Sequence, residues 1–148
     1  MASLRDALTI PAGSATSIRS EQGEYIVELL SGLPITRTLE TGFAYGVSAA
    51  YILSATRAPH IAVDPYEESY GNLGLANVAR LGFQDPLEFV RLPSHVALPQ
   101  LLARGVCVDF AFVDSHRDRI AGRDLRRVDD GMSFRERDGV PAPEDRER

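Results

Sequence analysis

Apolar positions recur along this chain in two rhythms, and their alternation carries most of the fold. Ile26, Leu29, Leu30 and Leu33 follow Ser20 at three- and four-residue spacing, which predicts a helix capped by Ser20 and stopped by Pro34. Thr36 to Glu40 is short and β-prone, and after a turn rich in small residues an alanine-rich helix runs from Val47 to Ala55. Ile61-Ala62-Val63, closed by Asp64, reads as a second strand. Pro65 to Gly74 is a polar loop, and Leu75, Val78, Ala79 and Leu81 form the apolar side of a helix ended by Gly82. Leu87 to Leu92 reads as a third strand, and His95 to Arg104, with Pro99 near its start, as a helix closed by Gly105. Val106 to Val113 is almost unbroken apolar and suits a fourth strand buried on both faces.

Strands that alternate with helices predict an α/β fold with a mostly parallel sheet and right-handed crossovers. The rhythm lapses at Arg117. Arginines and acids dominate from there, with Pro141 and Pro143 ahead of a charged end. The expected division is therefore a folded domain over 1–116 and a polar, partly disordered tail over 117–148, with one short helix around Gly122 to Asp130.

Composition narrows the chemistry. A net charge of −5 gives no general attraction to nucleic acid. All sixteen basic residues are arginine, which excludes any mechanism built on a catalytic lysine. Cys107 is the single cysteine, so no internal disulfide forms; inside its apolar run it is expected to be a small buried hydrophobe, and a cytoplasmic setting is expected. No apolar run approaches the ~18 residues of a membrane span, and the amino terminus does not read as a leader. His60, His95, His116 and Cys107 form no spaced metal set, so no metal is expected. Asp109 and Asp114 are an odd number of steps apart on one strand, which puts them on opposite faces and excludes a paired acid and base.

The densest chemical signal lies between the first two strands. Gly42, Ala44 and Gly46 remove side-chain bulk at alternating positions, so a ligand can approach the backbone, and the free N–H groups of the next helix face the same place. Asp64, eighteen positions past Gly46, ends the next strand, where an acid can accept two hydrogen bonds from a ribose diol. Two other readings stay open. A dinucleotide fingerprint would need glycine where Ala44 and Val47 stand, and the glycines could also serve only a tight strand-to-helix turn.

Glu40-x-Gly42-x-Ala44-x-Gly46 resembles the first motif of class I S-adenosylmethionine-dependent methyltransferases, and its surroundings resemble the small O-methyltransferase-like group called methyltransferase family 24. Ser20-Glu21-Gln22-Gly23 ahead of the first strand, Ala62-Val63-Asp64-Pro65 and Asp109 to His116 match that group in order. The resemblance covers roughly residues 15 to 116. It implies a Rossmann-like three-layer sandwich, S-adenosylmethionine as cofactor and a small-molecule acceptor methylated on oxygen.

It also implies roles. Gly42, Phe43, Ala44 and Gly46 would meet the amino-acid part of the cofactor, Glu40 would orient the turn or hold the ammonium through water, and Ser48 would line the helix start. Asp64 would take the ribose hydroxyls, and Ser94 with His95 would lie beside the adenine. Asp114 would face the transferring methyl; from the residues themselves, His116 is the candidate general base close to that end. Tyr66 and Tyr70 would cover the cofactor or pack at a helix edge.

The family continues through a fifth strand and a closing antiparallel hairpin, which 117–148 does not supply in recognisable form. A shortened, C-terminally truncated sheet is therefore expected, with the fourth strand as an edge that invites pairing with a second copy. The alternative reading is a non-catalytic module that keeps the cofactor half-site and binds cofactor or a partner chain without turnover.

Overall fold

The structure, a computed structural model, describes residues 3–114. Four strands form one sheet: β1 (Thr38–Thr41), β2 (His60–Val63), β3 (Leu87–Val90) and β4 (Phe110–Val113), all parallel and ordered β3-β2-β1-β4. Parallel neighbours need crossovers, and the helices supply them. They are α1 (Ser20–Leu30), α2 (Val47–Thr56), α3 (Leu73–Arg80) and α4 (Ser94–Ala103). Thr38, Glu40, His60 and Ala62 share one sheet face by register, with Phe110 and Phe112 beside them. Helices α1, α2 and α3 cover that face, while Leu39, Ile61 and Val63 on the other pack against Ala97 and Leu101 of α4. The chain thus steps outward from β1 to β3 over one face and returns beneath the other to lay β4 on the far side of β1. The direction of travel reverses between β1 and β4.

Helix α2 is buried from Val47 through Leu53, on every side rather than along one stripe. Ala50, Tyr51 and Ile52 meet Ile26 and Leu30 of α1, and Ala49 and Leu53 meet Ala62, Val78 and Phe83. Fully burying a side chain such as Leu30, Ile52 or Leu53 stabilises the fold by roughly 1.5–3 kcal/mol.

Several boundaries differ from the expected ones. Ser20 is the first helical residue rather than the cap; Arg19 precedes it, and its N–H donates to Gln22 Oε1 at 2.9 Å. The same helix ends at Leu30, three residues early, because Gly32 takes φ +81°. Gly74 sits inside α3, and the polar loop before it holds a 3₁₀ turn at Glu67–Tyr70. The fourth strand is half as long as its apolar run. Residues 106–109 are held outside it, where Asp109 Oδ2 accepts the N–H groups of Thr36 (2.7 Å) and Arg37 (3.2 Å) and the Thr36 hydroxyl (2.6 Å). Burial of β4 on both faces is not seen: Phe110 and Phe112 are half-buried and Val113 is 73 % exposed, since among the described residues β4 pairs only with β1. Cys107, in the segment ahead of β4, is exposed rather than buried. The whole of the expected tail, 117–148 with its short helix around Gly122 to Asp130, and His116 lie outside the described residues.

Candidate functional site

The strand ladder runs one residue past the ends of the strands. The N–H of Gly42 donates to Val63 O (2.9 Å), that of Asp64 to Val90 O (3.1 Å) and that of Asp114 to Thr41 O (3.0 Å). Asp64, Gly42 and Asp114 therefore stand in a row along the carboxyl edge, with Gly42 in the middle at the reversal between β1 and β4. In open α/β sheets that edge is where ligands bind.

From Thr38 to Leu53 every residue is buried except Gly42, so the turn after β1 turns its backbone outward at Gly42. The rest of the turn packs down. The Phe43 ring meets Phe89 edge-on at 5.0 Å and Tyr45 meets Tyr70 at 5.2 Å. Gly42, Ala44 and Gly46 take φ of +86°, +45° and +69°. For Ala44, which carries a Cβ, that conformation costs about 1–2 kcal/mol. Asp64 offsets it: Oδ2 accepts the N–H groups of Phe43 (2.8 Å) and Ala44 (3.0 Å), and Oδ1 accepts that of Tyr66 (2.8 Å). Gly46 is required by α3, because a Cβ there would lie 2.9 Å from the carbonyl oxygen of Gly74. A Cβ on Gly74 would in turn run into the carbonyl of Ala44. Turn and helix meet backbone to backbone.

Beneath the turn lies a buried polar chain. Glu40 is fully buried; its Oε2 accepts the Ser48 hydroxyl at 2.5 Å, which ties the first turn of α2 to β1. Its Oε1 lies 3.3 Å from His60 Nε2, within ion-pair range but off hydrogen-bond alignment, and His60 Nδ1 pairs with Thr38 Oγ1 at 2.8 Å.

A second acid sits beside the turn. Glu67 is fully buried; Oε1 accepts the Leu75 N–H at 3.1 Å, and Oε2 has no hydrogen-bond partner. Burial above all, and the neighbouring Asp64 charge, push its pKa up to about 7, against the pull of the Leu75 and Gly74 amides and of Arg91. Burial first and Asp64 second raise the Tyr70 phenol as well.

The residues singled out from the sequence thus fall in four places. Phe43 and Ala44 are joined directly to Asp64 by hydrogen bonds at the edge, and Gly42, bonded to Val63, stands beside them. Glu40 and Ser48 are joined to each other underneath. Ser94, half-buried, and His95, exposed, open α4 beyond β3, while Asp114 stands exposed across Gly42 from Asp64. Among the described residues no group of three or more His, Cys, Asp or Glu could hold a metal.

Sequence reasoning missed Glu67 and His60. An acid in a polar loop reads as solvated, and its partner Leu75 is eight positions on, outside any capping spacing. His60 belongs to Glu40 only through the β1–β2 register.

A family model described as a methyltransferase domain, that of methyltransferase family 24, matches residues 39–133. The chain belongs to methyltransferase family 24. No curated protein matches it in sequence. Among solved structures it is similar to the O-methyltransferase TomG from Streptomyces achromogenes, involved in tomaymycin synthesis and in complex with SAM. That match has 22 % identity over 68 % of this chain and 46 % of that one, with a TM-score of 0.62. The SAH-bound Podospora anserina methyltransferase PaMTH1 matches at 21 % identity over 87 % and 55 %, with a TM-score of 0.67. The Bacillus cereus O-methyltransferase in complex with SAH matches at 19 % over 69 % and 47 %, with a TM-score of 0.63. These likenesses show the Rossmann-like fold of the family 24 domain. The chain spans about half the length of the structures it matches.

Proposed function

We propose that this family 24 chain binds S-adenosylmethionine at the carboxyl edge of its sheet and serves methyl transfer to a small-molecule acceptor, on oxygen. The observation that carries the reading is the bond between Asp64 and the turn. One carboxylate fixes the Phe43 and Ala44 amides and so holds Gly42 outward, at the reversal between β1 and β4. The O-methyltransferases among the structural relatives, crystallised with SAM or SAH, support the choice of cofactor and acceptor atom.

The residues fit such a ligand by their chemistry. Gly42 offers backbone where no side chain intervenes, and Oδ1 of Asp64, which takes a single N–H, keeps lone-pair capacity for a hydroxyl. Ser94 and His95 flank the same edge on the β3 side, where an adenine would lie. When bound, the cofactor supplies an electrophilic sulfonium methyl, so the chain's work is alignment and exclusion of water. Glu40 acts from below, holding α2 and its N-terminal amides toward the turn through Ser48. Asp114 faces the reacting side in this reading, and His116 is its proposed general base. A cytoplasmic setting goes with it, on the strength of the single cysteine.

Titration of the full chain with S-adenosylhomocysteine tests the reading. Binding in the micromolar range is expected, weakened at least tenfold in Asp64→Ala; equal affinity in the variant, or no binding by the parent, overturns it. Binding with no radiolabelled methyl passed to any of a panel of hydroxylated small molecules would instead identify the module that binds without turnover. Among the described residues no helix is long and apolar enough to cross a membrane.

A further inference from the structure

We propose that Glu67 is a positioning residue for the turn after β1, acting through the first turn of α3 and coupling its geometry to proton concentration. The inference rests on the reading of that turn as a cofactor cradle. It starts from a chain of contacts. Glu67 holds the start of α3 twice: its carbonyl accepts the Asn72 N–H at 3.0 Å, and its carboxylate accepts the Leu75 N–H at 3.1 Å. Gly74, between those two amides, is the residue against which the turn packs; its carbonyl faces Gly46 and its Cα faces the Ala44 carbonyl. A shift of the α3 terminus is therefore a shift of Ala44 and Gly46, because backbone meets backbone there and the Phe43 ring and Val78 fill the rest of the contact.

The carboxylate is held in an unresolved balance. Oε2 is buried without a partner, an arrangement that costs free energy in either protonation state. The charged and titratable groups that face it are Asp64 from the end of β2, Tyr70 from its own 3₁₀ turn and Arg91 from the end of β3. Arg91 is itself drawn away, with Nη2 on Asn72 Oδ1 at 2.9 Å and Nη1 3.9 Å from Glu68. Ionised, Glu67 is a strong acceptor and clamps the Leu75 amide. Protonated, it accepts weakly and the α3 terminus loosens from the turn. The balance falls near neutral pH because burial raises the acid into that range.

The experiment compares the full-length parent with Glu67→Gln, which keeps the shape and lacks the charge. Affinity for S-adenosylhomocysteine, whose own groups do not titrate between pH 6 and 8, is measured by calorimetry across that range. The parent is expected to bind at least threefold more tightly at pH 8 than at pH 6, and the variant to show no such gain and to match the parent's pH 6 affinity. Every other titratable group is common to both proteins, so its contribution cancels. Amide hydrogen exchange of the unliganded parent, corrected for intrinsic rates, supplies a second readout. Protection of Phe43, Ala44 and Leu75 should rise at least threefold from pH 6 to 8. A variant with the parent's pH profile overturns the proposal, and so does protection that is flat in the parent. If the parent does not bind at any pH, the cofactor reading fails while the exchange measurement still decides whether Glu67 positions the turn.

Discussion

At the scale of single residues, three carboxylates show how much environment matters more than residue type. Asp64 is an anchor, Glu67 a buried acid short of a partner, and Asp109 a surface clamp. For Glu67 the folded pKa of about 7 lies above its ordinary 4.5. Between those values the folded state holds more protons than the unfolded one, so this group makes stability fall as pH rises through that window. Glu67→Gln should therefore be more stable than the parent at pH 8 by about 1–2 kcal/mol, since a buried amide keeps part of the burial cost, and equal near pH 4, as read from urea unfolding. The same carboxylate would then sharpen the turn at a cost in stability, a trade common at functional sites. Asp109 has the opposite sign. Its hydrogen bonds from Thr36 above all, and from the Arg37 amide, hold it below its ordinary 3.8. Its contribution is present above that value and fades as pH falls through the lower folded one. Asp109→Asn should be less stable than the parent at pH 7, and the gap should narrow as pH falls below 3.8.

At the scale of elements, the helices are fixed by close backbone approaches as much as by apolar stripes. A Cβ at Gly23 of α1 would strike the ring of Tyr51 in α2. Gly23→Ala should thus destabilise the chain by about 1–3 kcal/mol, seen as a lower melting temperature, although alanine is the better helix former. The order of elements was legible in the sequence because helical and strand periodicities differ, and α2 and β2 fall within a residue or so of their expected places. Boundaries went astray where a local feature outranked the pattern. Gly32 ended α1 before Pro34 could, and the Asp109 clamp kept Val106 to Val108 out of β4. The site was legible as far as the glycines and Asp64. The inward aim of Glu40 was not, because it depends on a sheet register that no single strand encodes.

At the scale of the molecule, the carboxyl edge gathers the candidate chemistry and leaves the opposite edge to structure. If the cofactor reads this edge, stability and binding are linked. S-adenosylhomocysteine at a hundred times its dissociation constant should raise unfolding free energy by about 2.7 kcal/mol, and Asp64→Ala, bound at least tenfold more weakly, should lose about half of that gain or more at the same ligand concentration. Cys107 precedes β4 and so lies at the amino edge, exposed, and it is the sole thiol in a chain that also lacks tryptophan. Nature has left a single attachment point for a maleimide dye, far from the glycine bend and on a dark optical background. A fluorophore there would follow events across the sheet without any engineered handle.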